Sequence, residues 1–245
     1  HRCAASIRMS ANHFIPRLHQ YLRQMRFKRR EHAEYAEHHT PEVKEYPRMP
    51  HIALPDLTPL PATLSDTLKN RTSAESFGGK SVSTRELSQL LCHSLGIRED
   101  GHRKYPSGGA LYTVEAYVVA YEVESLERAL YHYHPQRHIL ERLWKLPEGA
   151  RSENLLLSPG GSDAAAQIVL TAVWERKLAH YRDFGFILTL IEVGHIGQNL
   201  LLAATALGLD ARPFCGFNDE VIEKLLDLDT SQEQPVYVLA FGKKY

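Results

Sequence analysis

Cysteine is scarce in this chain. Cys3, Cys92 and Cys215 are scattered over 245 positions, with no C-x-x-C pair and no even count to build a disulfide framework. That excludes the common structural zinc sites and a disulfide-stapled scaffold, and a reduced, cytoplasmic setting is expected. Net charge is absent too: 29 Lys and Arg balance 29 Asp and Glu, so no overall field favours nucleic acid or an anionic membrane. No apolar run is read as reaching the roughly 18 residues of a membrane span. The segment Ala164 to Trp174 is too short and predicts a buried strand. No basic-then-apolar leader follows His1, so no signal peptide is read there, and a start without methionine is expected of a trimmed or partial chain. Internal repeats and a regular β-α-β alternation are also missing, which excludes solenoids and favours an α+β fold over a doubly wound sheet.

What is present organises into a polar beginning and a mixed body. Ile15, Leu18, Leu22 and Met25 recur at helical spacing and predict an amphipathic first helix, followed by the basic run Arg26 to Arg30. Pro41, Pro47, Pro50, Pro55, Pro59 and Pro61 then forbid a helix and predict extended chain. Helices are expected at Thr63 to Asn70 and at Thr84 to Leu95, the second opened by a capping box of Ser83 and Glu86 and stopped by Gly96. Strands are expected at Val114 to Val123 and Ala129 to Tyr133. One long helix is expected from Arg176 to Leu207, then a strand at Ala211 to Phe214, a helix at Asp219 to Leu228 and a closing strand at Val236 to Phe241.

The residues able to carry chemistry lie in a few short segments. Pro106-Ser107-Gly108-Gly109-Ala110 leaves bare backbone on a turn just before a strand, which suits close approach by a flat or anionic ligand. Arg71 and Ser73 bring a planar cation and a hydroxyl matched to phosphate, and Arg103 and Lys243 are further cations. Cys215, with no base beside it, reads as a packing residue rather than a nucleophile, and Gly216 lets a backbone N–H point at a ligand. Gly194-His195 and Gln198-Asn199 open an apolar helix, where they either satisfy a helix contact or face a cavity or a second subunit. An apolar run from Ile196 to Leu207 predicts a dimer, because one subunit covers such a helix poorly. His180-Tyr181 can move a proton near neutrality. His38-His39 and His132-Tyr133-His134 lack metal-ligand spacing with carboxylate support, so no metal site is expected.

In order, Arg71-x-Ser73-x-x-x-Phe77, Pro106 to Tyr112, Leu130-Tyr131-His132-Tyr133, Glu192-x-Gly194-His195-x-x-Gln198-Asn199-Leu200, Ala206-Leu207-Gly208-Leu209 and a closing strand with Gly242 resemble the nitroreductase-like flavoproteins. Within them, the closer likeness is to the SagB-type dehydrogenases that include the azoline oxidases of thiazole and oxazole natural products. The resemblance implies a mostly antiparallel sheet flanked by helices, with FMN held non-covalently at a homodimer interface. Residues 1–60 would form a helical, proline-rich extension and 61–245 the FMN-binding domain. Arg71 and Ser73 would hold the phosphate and ribityl chain, with Lys243 adding to the phosphate site. Pro106, Ser107, Gly108, Gly109 and Ala110 would line the ring from the other subunit, and Cys215-Gly216 would present an amide near the flavin N5.

Two positions depart from the family pattern. Glu75 stands where a basic residue is common, so either it points away or Lys80 supplies the charge. His180-Tyr181 stands where azoline oxidases carry Lys-Tyr. The implied activity is oxidation of an azoline or similar C–N substrate on a peptide or carrier, with Tyr181 as base and His180 tuning it, or the reverse. Implied partners are a cyclodehydratase, a peptide-synthetase carrier or a precursor peptide. The alternatives are an NAD(P)H-dependent nitro or quinone reductase and a degenerate flavoprotein scaffold.

Overall fold

The computed structural model describes residues 16–24 and 43–243. Cys3, the Arg26 to Arg30 run, His38-His39 and the chain end after Lys243 lie outside the described residues. The body is a seven-stranded sheet in the order β1-β4-β3-β2-β5-β7-β6, with every neighbouring pair antiparallel. The strands are β1 (His51–Ala53), β2 (Val114–Ala120), β3 (Ala129–His134), β4 (Ile139–Lys145), β5 (Ala166–Val173), β6 (Asp210–Phe214) and β7 (Glu233–Gly242). The helices are α1 (residues 16–24), α2 (Leu64–Asn70), α3 (Thr84–Leu95), α4 (Glu175–Tyr181), α5 (Phe184–Ala206) and α6 (Asp219–Leu226).

Local chemistry accounts for much of this. Thr63 caps α2, and Ser83 with Glu86 forms both halves of a capping box at α3. β2 and β5 are central strands covered on both faces, so both read as near-continuous apolar runs. Alternate side chains divide between two cores. Val114, Ala116, Val118, Ile168, Leu170 and Leu239 face α3 and α5. Tyr117, Val119, Val169, Val238 and Ala240 face the other way, where Ile222 and Leu226 of α6 pack.

Several expectations are corrected. β4 carried no strand expectation, and β1, from the proline-rich stretch, adds to the sheet edge by pairing with β4. The single long helix is two: Arg182 adopts φ 49° and breaks the chain between α4 and α5. Gly185 then lets α5 start against α4, since a Cβ there would lie 2.9 Å from the Lys177 carbonyl oxygen. α5 is also long and apolar enough, by length and composition, to cross a membrane. In this fold it is a core helix, with Ile196, Leu200, Ala203 and Ala204 buried in the main core. It is not buried all round. Phe186, Leu190 and Ile191 are 46%, 40% and 50% exposed, so the face in need of cover is at its start rather than along Ile196 to Leu207.

Candidate active site

The Pro106 to Ala110 turn is held from beneath by buried charge. Ser107 precedes a 3-10 turn, Gly108–Ala110, in which Gly109 has φ 69°. Its hydroxyl donates to the Glu192 carboxylate and accepts from Lys177 Nζ at 3.0 Å and from the Tyr112 backbone N–H at 3.1 Å. Lys177 also donates to Glu192 Oε2, and neither side chain of this pair is exposed. Thr113 Oγ1 stands 3.4 Å from the same carboxylate oxygen. The other oxygen, Glu192 Oε1, is buried with no hydrogen-bond partner among the described residues. Buried polar atoms are nearly always satisfied, so this one marks the cluster as unusual.

Above the turn stands Tyr181. A Cβ on Gly109 would come within 2.7 Å of the Tyr181 hydroxyl oxygen, so only glycine leaves room for both at this positive φ. His180, the other expected catalytic residue, is exposed on α4, whereas Lys177, one turn before Tyr181, is buried. Lys177 was missed by sequence reading, although its spacing of four from Tyr181 on one helix was legible. Arg103 is buried, with its guanidinium 5.6 Å from the centre of the Tyr112 ring. Burial pushes the neighbouring Tyr105 phenol well above its ordinary value; Arg103 opposes the rise and Glu192 adds to it.

The remaining expected residues gather elsewhere. The Ala74 N–H bonds the Ala211 carbonyl and the Gly78 N–H bonds the Lys243 carbonyl, which fixes the Arg71–Ser73 segment beside the C-terminal end of β7. The turn at Ser107 leads instead into Val114, which pairs with Ala172 opposite Gln234, at the N-terminal end of β7. Ten residues of strand, about 30 Å, separate the two ends of β7. The chain therefore carries the two halves of the expected site at opposite ends of its sheet.

Ser73 is exposed and Arg71 half-buried. The Lys243 ammonium pairs with Glu86 at 2.9 Å. Burial raises the Glu86 carboxyl, but its bonds from Ser83 and Lys243 bring it below the ordinary range. Cys215 is exposed, which corrects its reading as a packing residue. Gly216 accepts from the Leu157 N–H. Glu75 is exposed, and Arg212 of β6, missed by sequence reading, donates to the adjoining Ala74 carbonyl at 3.1 Å. Asn199 serves a helix contact, donating to the Lys104 carbonyl, while His195 and Gln198 are exposed.

With this geometry in view, the relatives are informative. The nitroreductase family model matches residues 68–243. The chain belongs to the nitroreductase family. It is 32% identical over 197 residues to the putative nitroreductase MJ1384 of Methanocaldococcus jannaschii, covering 79% of this chain and 96% of that protein. It is also 30% identical over 173 residues to the microcin B17-processing protein McbC of Escherichia coli, covering 66% of this chain and 62% of McbC. That likeness accords with the SagB-type resemblance carried by the motifs. Among solved structures, the E. coli microcin synthetase McbBCD complex with truncated pro-MccB17 bound matches with a TM-score of 0.62 at 22% identity, covering 94% of each chain, a likeness of fold. The chain is an oxidoreductase of that family.

Proposed function

We propose that this protein is an FMN-dependent dehydrogenase that oxidises an azoline, thiazoline or oxazoline to azole, or a similar C–N substrate, on a peptide or carrier in natural-product biosynthesis. The observation that carries the reading is the bare Gly109 backbone set under the Tyr181 phenol and anchored through Ser107 to a buried ion pair. The residues present fit a flavin. Gly108 and Gly109 leave side-chain-free backbone for a flat ring, and Arg71, Ser73 and Arg212 bring donors suited to phosphate and to a ring carbonyl. The likeness to McbC supports the substrate class.

FMN, when bound, supplies the hydride acceptor, and oxygen takes the electrons afterwards. The chain's own residues do the rest. Arg71 and Ser73 of one subunit would hold the phosphate and ribityl chain, and Gly216 would offer a backbone N–H to the ring. Ser107 to Ala110 of the second subunit line the ring, which accounts for two half-sites at opposite ends of one sheet. The exposed Phe186, Leu190 and Ile191 face of α5 is the dimer surface in this reading. Tyr181, acting as its phenolate, would accept the proton from the carbon next to nitrogen and become the neutral phenol. His180 lies on the outer face of α4 and is left to tune the helix end. A cyclodehydratase and a precursor peptide or carrier are the partners, and a cytoplasmic setting goes with them.

The test is anaerobic mixing of the purified protein with NADPH and, separately, with a thiazoline-bearing peptide. Bleaching of the flavin by the peptide, with azole formed, is the expected result. Rapid bleaching by NADPH alone makes the protein a reductase, and a flavin inert to both makes it a scaffold.

A further inference from the structure

Counting along the family motif leaves the lysine position of the azoline-oxidase Lys-Tyr pair filled by His180, which the fold turns outward. Three residues earlier, Lys177 points inward. Its ammonium is completely buried and reaches both Ser107 of the glycine turn and Glu192 of α5. Lys177 and Tyr181 are four apart on α4 and so share one face, while the same glycine turn touches both: Ser107 through Lys177 Nζ, Gly109 through the Tyr181 hydroxyl. A lysine taken fully out of water to serve packing alone would be expected to have its partner fully satisfied. Here Glu192 keeps one buried oxygen without a partner among the described residues.

We propose that Lys177 is the working lysine of this site, a positioning residue that clamps the Ser107–Gly109 turn to Glu192 and thereby sets the Tyr181 phenol at the ring-binding backbone. The inference rests on the function proposed above. It needs no group to change its charge. The ammonium draws Ser107 down onto Glu192, the Tyr112 N–H is fixed to the same hydroxyl, and Gly109 is held at the height at which Tyr181 meets it. A displacement of about 1 Å at such a contact is enough to cost about a hundred-fold in rate.

The test compares Lys177→Arg, Lys177→Met/Glu192→Gln, Tyr181→Phe and the triple variant. The paired neutral substitution removes the charge without leaving Glu192 buried and unpaired, and thermal melting checks that each variant folds. Three results are expected. In the protein without flavin, the Tyr112 amide exchanges with deuterium at least tenfold faster in Lys177→Met/Glu192→Gln and near the parental rate in Lys177→Arg. In the loaded protein, kcat falls about a hundred-fold while KM stays within a few-fold, and Lys177→Arg recovers most of the loss. The triple variant is no slower than Tyr181→Phe, because Lys177 acts through Tyr181. Losses that multiply in the triple variant, or a neutral pair that exchanges and turns over at the parental rate, overturn the proposal. If the parental protein is inert towards azolines, the proposed function fails on its own. The clamp is then decided by the exchange rate of the flavin-free protein and by the FMN dissociation constant. A weaker constant in the neutral pair, restored by Lys177→Arg, supports the clamp, and unchanged values refute it.

Discussion

Two clusters of buried charge flank the sheet, and they are built to different standards. One is the Lys177–Glu192–Ser107 clamp beneath the glycine turn. The other lies on the opposite face, where β2, β3, β4 and β7 contribute Glu115, His132, Glu141 and Glu233. In that second cluster His132 bridges Glu115 at 3.2 Å and Glu141 at 2.8 Å. Arg176 bonds the other Glu115 oxygen, and Lys44 pairs with Glu233. Tyr117 and Thr171 donate to Glu233, and the Tyr46 N–H donates to Glu141. Every carboxylate oxygen there has a partner, whereas Glu192 has one oxygen with none among the described residues. A fully satisfied network fixes structure, here by pinning residues 44–46 across the sheet. An under-satisfied one, beside exposed bare backbone, is where a ligand is to be sought.

The contrast can be broken most sharply at the clamp. Lys177→Met alone leaves Glu192 buried and unpaired and is expected to cost about 3–5 kcal/mol in urea unfolding. Adding Glu192→Gln should return most of that loss. A single variant as stable as the parent would contradict the buried pair.

The second cluster is expected to respond to pH through His132 and Glu115. Burial lowers the His132 imidazole, but its bonds to Glu115 and Glu141 outweigh this and leave it above the ordinary histidine range. Its contribution is therefore complete below the ordinary histidine value and is lost as pH rises through the raised one. Glu115 runs the other way. Burial raises it, but His132 and Arg176 hold it at about 2, so its contribution is present above the ordinary carboxylate range and fades as pH falls towards that value. His132→Gln should cost roughly 3 kcal/mol near pH 6. It should also flatten the decline in melting temperature that the parent shows as pH rises beyond neutrality. A parallel decline in both proteins would remove His132 as its source.

A smaller effect separates the proposed cofactor half-site at Arg71 from both clusters. Arg71→Ala is expected to weaken FMN about ten- to a hundred-fold, roughly 1.5–3 kcal/mol, with no change in unfolding of the flavin-free protein. Isothermal titration of the flavin-free variant checks this, and unchanged affinity would move the phosphate site away from Arg71.

How much of this could be read from the chain depends on the reach of each interaction. The capping box at Ser83, the stop at Gly96 and the buried strand before Trp174 are local, and they stand where the sequence puts them. The glycine turn was legible because its residues are contiguous. The break at Arg182 was not, since nothing in Tyr181-Arg182-Asp183 forbids a helix; the φ of Arg182 is imposed by α5 folding back on α4. β4 escaped because Glu141, Arg142 and Lys145 spoil its apolar pattern, and Glu141 is buried only through His132 and Tyr46. Lys177 escaped for the same reason. It lies in a polar run, and its partners are 70 and 15 residues away. Long-range pairing of charge leaves no periodic signal.

The central claim is that the bare turn under Tyr181 holds a flavin that oxidises an azoline. The most direct measurement is single turnover without oxygen, with about one FMN per chain loaded and a thiazoline peptide in excess. The expected result is loss of the oxidised-flavin absorbance in step with thiazole formation, at least a hundred-fold slower in Tyr181→Phe with its FMN content unchanged. Thiazole formed at the parental rate in Tyr181→Phe, or a flavin that stays oxidised while the peptide is unchanged, would contradict it.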